Sequence, residues 1–204
     1  MGFWELLAII VFLILVGFLK LYVRKGAEKA GEAVDYMTFG RYPQTAEGRV
    51  LPVEWRVLAR ENNKALVISR YVLDAGRFDS ESNDWSESEI RRWLNGEFYN
   101  STFSGEEKAR IKSFNQDNVF LLSREEAEKY FANNNARKCK PTVYAKAKGA
   151  WTWDNGCCYW WLRSPYPNYI DNVYIVGYYG DICDNYVDDL DASVRPALWI
   201  NFES

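Results

Sequence analysis

A chain of 204 residues, 48 % hydrophobic and 17 % aromatic, is long enough to bury one sizeable core, and nothing in it asks for a second large domain. The formal net charge of −3 speaks against nucleic acid as a partner, because phosphate binding needs clustered Lys and Arg. Histidine is absent, which excludes His-dependent triads, the two-His-one-carboxylate iron site and nearly all zinc hydrolase chemistry.

Residues 3–23 carry an uncharged apolar run from Leu6 to Leu19, bounded by Glu5 and Lys20. With those two side chains reaching toward the interfaces, the stretch is long enough to span a bilayer. A secretory signal would put basic residues before the run and a small-residue cleavage site after it. Here the only early charge is Glu5, and Arg24 and Lys25 follow. The sequence therefore predicts a retained single-pass anchor over 1–25, with membrane contact through 3–23 and with Trp4 and Tyr22 at the two interfaces. Lys20, Arg24, Lys25 and Lys29 lean the following domain toward the cytoplasm, the opposite of what a displayed binding protein would need. Residues 26–36 are small and charged and read as a linker, and the folded domain is assigned to 37–204.

Val53 to Arg60 and Ala65 to Arg70 are β-rich runs around Glu61-Asn62-Asn63-Lys64, the pattern of a hairpin. Ser86 with Glu89 predicts a capping box opening a helix that carries Ile90, Trp93 and Leu94 on one face. Ser104 with Glu107 predicts a second, and Ser123 with Glu126 a third, after a strand over 119–122. Helix capping explains these acidic residues better than catalysis does. Pro141-Thr142 starts a short helical turn toward Gly149. Of Trp151, Trp153, Tyr159, Trp160 and Trp161, most are expected in the core, and Val194, Ala197 and 199–202 read as a closing strand. Trp55, Trp93, Leu162, Leu198 and Trp199 are expected to join that core, with Arg163 and Arg195 as structural donors. Strands and helices are mixed without βαβ alternation, which predicts an α+β fold. The four cysteines, Cys139, Cys157, Cys158 and Cys183, lack zinc spacing. Vicinal Cys157 and Cys158 read as packed thiols, and Cys139 with one of them is the bridge to test if the domain is exported.

Residues 165–194 stand apart. They hold six Tyr, six Asp and three Asn but no Lys, Glu, Gln, Met or Trp, types that fill 40 of the other 174 positions. A window of this length drawn at that rate would hold roughly seven of them, so chance is a poor explanation. The five missing types are those whose codons all end in a purine. A segment varied at adenines in Asn-type codons, as in the targeted regions of diversity-generating retroelements, has this composition. It also matches a paratope, in which Tyr gives rigid contact area and Asn, Asp, Ser and Gly give adaptable hydrogen bonds. A set of Tyr- and Asp-rich loops between short strands fits the composition as well.

The run Trp160-Trp161-Leu162-Arg163-Ser164-Pro165, the spaced Val173, Gly180, Ile182 and Val187, and the closing Val194-Arg195-Pro196-Ala197-Leu198-Trp199-Ile200 together resemble the C-terminal half of the DUF6273 family. Upstream, Phe39-Gly40-Arg41-Tyr42-Pro43-Gln44, Glu54 to Leu58, Trp93-Leu94-Asn95, Phe98-Tyr99-Asn100, Phe103-Ser104 and Val119 to Ser123 extend the resemblance over about residues 37–201. The resemblance implies a C-type-lectin-like domain related to formylglycine-generating-enzyme scaffolds, with the variable segment on a surface held by C-terminal strands. Some members look like variable proteins of retroelements.

Three functions of different class follow. The first is a membrane-anchored, receptor-like protein that presents a diversified face to a protein or other macromolecular ligand. That face would comprise Tyr166, Asn168, Tyr169, Asp171, Tyr174, Tyr178, Tyr179, Asp181, Asp184, Asn185, Tyr186, Asp188, Asp189 and Asp191, mainly on one surface, with Val173, Gly180, Ile182 and Val187 as spacers. The second is an enzyme on a formylglycine-generating-enzyme-like scaffold, for which no general base is marked without His. The third is an anchored structural module. No catalytic residue and no cofactor is assigned. The aspartates lack the EF-hand order and calcium-lectin triplets, so no metal is assigned either.

Overall fold

The structure, a computed structural model, describes residues 34–202, and from Asp35 onward the chain forms one compact unit. Two five-stranded sheets carry it. The first runs β1 (Tyr36–Pro43), β2 (Val50–Glu61), β3 (Lys64–Ser69), β10 (Ala197–Asn201), β5 (Ile111–Lys112). The second runs β4 (Asp74–Ala75), β9 (Ser193–Val194), β6 (Trp160–Pro165), β7 (Asn172–Val176), β8 (Ile182–Tyr186). The β2–β3 hairpin closes through Asn62 at φ 50°, a left-handed position that Asn tolerates.

The α+β reading holds at that coarse level, but the expectation of a C-type-lectin-like domain behind a transmembrane helix is corrected. The described residues form two sheets with short helices, and no helix among them is long and apolar enough to cross a membrane. Their longest helical run, residues 89–102, rises at most about 21 Å, short of a hydrocarbon core of about 30 Å, and it carries Arg91, Arg92 and Glu97. The expected anchor over 1–25 and most of the linker over 26–36 lie outside the described residues.

Two capping boxes form as the sequence predicts, at Ser104 with Glu107 and at Ser123 with Glu126. The third does not. Ser88 caps the helix Glu89–Trp93 through the Arg91 N–H, Asp84 caps the preceding 3₁₀ turn, and Glu89 instead pairs with Arg77 at 2.8 Å. Spacing alone could not choose between two serines two residues apart. The expected strand over 119–122 is reduced to one bridge, Phe120 to Ala197. The closing strand is two strands in different sheets, β9 and β10. Between them Arg195, buried, donates from Nε to the Ser69 carbonyl at 3.0 Å and lies over the Trp160 ring at 4.9 Å. A guanidinium withdrawn from water needs such partners.

Of the expected core, Trp55, Trp160, Trp161, Leu162, Leu198 and Trp199 are buried and Trp93 is partly buried. Trp151 and Trp153 are not: they are 41 % and 40 % exposed. Arg163 is half-buried and holds Glu126 with both terminal nitrogens, at 2.6 and 2.9 Å, tying the helix Arg124–Tyr130 to β6. All four cysteines are free thiols. Cys158 faces Cys139 across an antiparallel bridge, and burial pushes both thiols up.

Candidate functional site

The second sheet brings the Tyr- and Asp-rich segment to its edge. β6 lies inside the sheet, whereas β8 pairs only with β7 and forms the rim. Successive strand residues point to opposite faces, so the register decides where each side chain goes. Val173 stands opposite Asn185 and Ile175 opposite Cys183, on the face that meets one core cluster. Tyr174 stands opposite Asp184, Val176 opposite Ile182 and Asn172 opposite Tyr186, on the face toward the other cluster. Of the fourteen expected contact residues, Tyr174, Asp184 and Tyr186 lie on the second of these faces and Asn185 on the first, and the others lie in the loops and turns around the hairpin.

On the Tyr174 side, the Tyr166 ring lies 5.0 Å from Tyr174 and 5.9 Å from Tyr169. Arg124 donates to the Tyr174 hydroxyl at 2.7 Å and covers its ring at 4.8 Å. Asp184 accepts from the Asn172 amide at 2.7 Å, and Tyr186 is exposed beyond it. Asn168 and Asp171 are exposed in the preceding loop, where Asn168 takes φ 66°.

The opposite side is concave. Tyr178 and Tyr179 occupy the β7–β8 turn, which is closed by Gly177 N–H to Asp181 O at 2.8 Å and Gly180 N–H to Gly177 O at 2.8 Å. Tyr178 stacks on Trp153 at 5.4 Å and 18°, meets Trp151 at 5.3 Å and Tyr159 edge-on at 5.5 Å. Tyr159, Tyr178 and Tyr179 line a cavity of about 260 Å³, with Asp181 and Asp189 in its wall. Asp189 accepts from the Tyr159 hydroxyl at 2.9 Å and from the Asn185 amide at 2.5 Å. Burial first, then the bond to Asp189, drives the Tyr159 hydroxyl far above the ordinary phenol range. The Cys183 thiol is pushed up to about 11 by burial and then by Asp181 and Asp184. Asp188 and Asp191 are exposed in the turn after β8.

No member of the fourteen is buried; Asn168, Tyr169, Asp171, Tyr179, Asp181, Tyr186, Asp188 and Asp191 are exposed and the rest are intermediate. The backbone beneath them is pinned. Val173, Gly180 and Val187 are buried, and Ile182 is intermediate. At Gly180, φ 80°, an added Cβ would sit 1.8 Å from the Asn134 carbonyl oxygen, and Arg137 donates to the Gly180 carbonyl at 2.7 Å. The Asn83 amide holds the carbonyls of Tyr169 and Asn172, both at 2.7 Å. Val187 donates to Asp171 O and accepts from the N–H groups of Phe78 and Asp79. Sequence reasoning missed Asn83, Asn134 and Arg137, which act across long sequence separations.

A larger cavity, about 370 Å³, lies by β4, with Tyr42, Asp74, Trp93, Tyr144 and Lys148 in its wall and Val194 as the segment's one contribution. Burial pushes the Asp74 carboxyl up. Both its oxygens already hold fold donors, the Tyr42 hydroxyl at 2.5 Å and the Ala75 N–H at 2.8 Å.

The family model described as "Domain of unknown function (DUF6273)" matches residues 62–202. The chain belongs to the DUF6273 family. Neither a curated protein nor a solved structure matches it. The matched span takes in the Trp-Trp-Leu-Arg-Ser-Pro run, the whole Tyr- and Asp-rich segment and the closing strand, while β1 and all of β2 precede it.

Proposed function

We propose that this DUF6273 protein is a binding protein whose Tyr-, Asp- and Asn-rich hairpin meets a macromolecular ligand, and that the hairpin is diversified in the manner of a retroelement target. One observation carries the reading: every side chain of the fourteen reaches solvent or a rim, while the backbone that bears them is fixed at Val173, Gly180 and Val187 by contacts from outside the segment. A core position feels the change of one methylene, so only positions like these tolerate exchange. Exposed tyrosines on a rigid backbone then serve as anchors, at low entropic cost. The composition, with its missing purine-ending codons, supports diversification independently of the geometry.

Sequencing the gene and its flanks in independent isolates tests this. Differences concentrated at the fourteen positions, with Gly180, Val173 and Val187 constant, are expected, together with a near-identical copy of codons 165–194 beside a reverse-transcriptase gene. Differences spread evenly over 37–201, with no such copy, would overturn the reading.

A further inference from the structure

We propose that the cavity under Tyr178 and Tyr179 receives the guanidinium of an arginine side chain on the protein ligand. The inference rests on the binding reading above and gives the ligand a chemistry. Its wall combines the rings of Tyr159, Tyr178 and Tyr179 with the carboxylates of Asp181 and Asp189, and neither Lys nor Arg lines it. Arg137, outside the wall, is committed to the Gly180 carbonyl and to Asn134 Oδ1. Asp189 is filled by Tyr159, Asn185 and the Asp191 N–H, so it supplies charge rather than a free acceptor. Asp181, exposed at the turn, has its carboxylate toward the Cys183 thiol and no cationic partner among the described residues. The raised Cys183, Tyr159 and Tyr178 groups, held up by burial and then by neighbouring negative charge or sulfur, report the same field.

The aromatic shelf selects among cations. Tyr178 and Tyr179 line the cavity, Tyr178 backed by Trp153 and Trp151 and Tyr179 with more than half of its surface open. A flat, weakly hydrated guanidinium stacks on such faces while its fork reaches a carboxylate; an ammonium is a compact, strongly hydrated point charge. Charge complementarity therefore favours arginine over lysine, and excludes acidic or neutral side chains.

The test is a titration of the full chain followed through the indole N–H signals of Trp151 and Trp153, assigned with Trp151→Phe and Trp153→Phe. The probes are N-acetyl-argininamide, the lysine counterpart and the neutral, near-isosteric citrulline counterpart. Saturable shifts at both indoles with the arginine probe, at least about tenfold weaker with citrulline, are expected. Asp181→Asn should weaken the arginine response several-fold with an unchanged melting temperature. Equal responses to arginine and citrulline, or none, would overturn the guanidinium site, and a lysine response as strong as that to arginine would overturn the choice of cation. If no probe binds while isolates still vary at the fourteen positions, this inference falls and the binding reading stands. An arginine response without variation gives the converse.

Discussion

β6 and β8 lie two strands apart in one sheet and obey opposite rules. In β6, Trp160, Trp161 and Leu162 are consecutive and each is fully buried, because core clusters cover both faces of the strand. In β8, no residue of Ile182–Tyr186 is buried. The strand between them, β7, buries Val173, Ile175 and Val176 but leaves Tyr174 half open. Position in the sheet, more than hydrophobicity of the strand itself, thus sets what a residue is free to be. A central strand must fit on two sides, while an edge strand needs only its backbone held.

The largest effect that this contrast predicts is at Trp161. It lies 5.9 Å from Phe78, edge-on, and donates to the Gly76 carbonyl at 2.8 Å. Trp161→Ala should cost about 3 to 5 kcal/mol through the cavity and the lost partner, read as a lower midpoint in urea. A midpoint within about 0.5 kcal/mol of the parent would mean that β6 is not core. Next comes Gly180, within the segment but not of it. Gly180→Ala sets a methyl against the Asn134 carbonyl at a positive φ, and a loss of more than about 2 kcal/mol is expected in the same assay. Indifference to this change would show that the turn is not anchored, and with it the fixed-backbone argument would go.

Asp189→Ala should be smaller, about 1 to 2 kcal/mol, because it strips acceptors from the half-buried Tyr159 hydroxyl and from Asn185. Asp189 therefore marks the boundary between the two regimes: its side chain is at the rim, yet it works for the fold. Retention of full stability by Asp189→Ala would move that boundary inward and add the residue to the freely exchangeable set.

Asp74, in the edge strand opposite β8 in the second sheet, probes the fold through pH. Burial holds its carboxyl above the ordinary value. A raised folded pKa contributes stability that is complete below the unfolded pKa and is lost as pH rises through the folded one. Asp74→Asn keeps an acceptor for Tyr42 and carries no charge, so its melting temperature relative to the parent should climb from pH 4 toward pH 8. A difference that falls over that interval would mean that the ionised carboxylate is stabilised by its donors and by Lys148 against the cost of burial.

Much of the scaffold was legible because its signals are local. The β2–β3 hairpin needed only two apolar runs and Asn62, and the boxes at Ser104 and Ser123 needed only a spacing of three. The Trp-Trp-Leu run reads as core because large aromatic and apolar side chains before a strand pack more often than they bind, and the structure adds that the strand is covered on both faces. The site was legible in composition but not in shape. Nothing near Tyr174 or Asn185 in the sequence says that β7 pairs with β8 in a register that sends them to opposite faces. Nor does anything around Asn83 or Asn134 announce a bond to a loop nearly ninety residues away or a contact with the turn at Gly180. Most of the aromatic cluster is core as expected, with Tyr159, Trp160 and Trp161 buried, but only the contacts to Tyr178 single out Trp151 and Trp153 as its exposed members.

The smallest expected effect is the one on which the comparison turns. Tyr169, Asp171, Tyr179, Asp181, Tyr186 and Asp188 are all exposed, and among the described residues no side-chain hydrogen bond holds Tyr169, Tyr179 or Tyr186. Exposed substitutions away from such bonds are usually worth no more than about 0.5 kcal/mol each, with either sign, so their sum partly cancels. Replacing the six together by Ser or Asn should therefore leave the melting temperature within a few degrees of the parent's, although six residues is a larger change than Trp161→Ala or Gly180→Ala. The two sets lie in the same sheet, within two strands of each other. If the sixfold variant unfolds as readily as the single Trp161 variant, the edge strand depends on its side chains as the central one does, and a segment free to vary has no place in this fold.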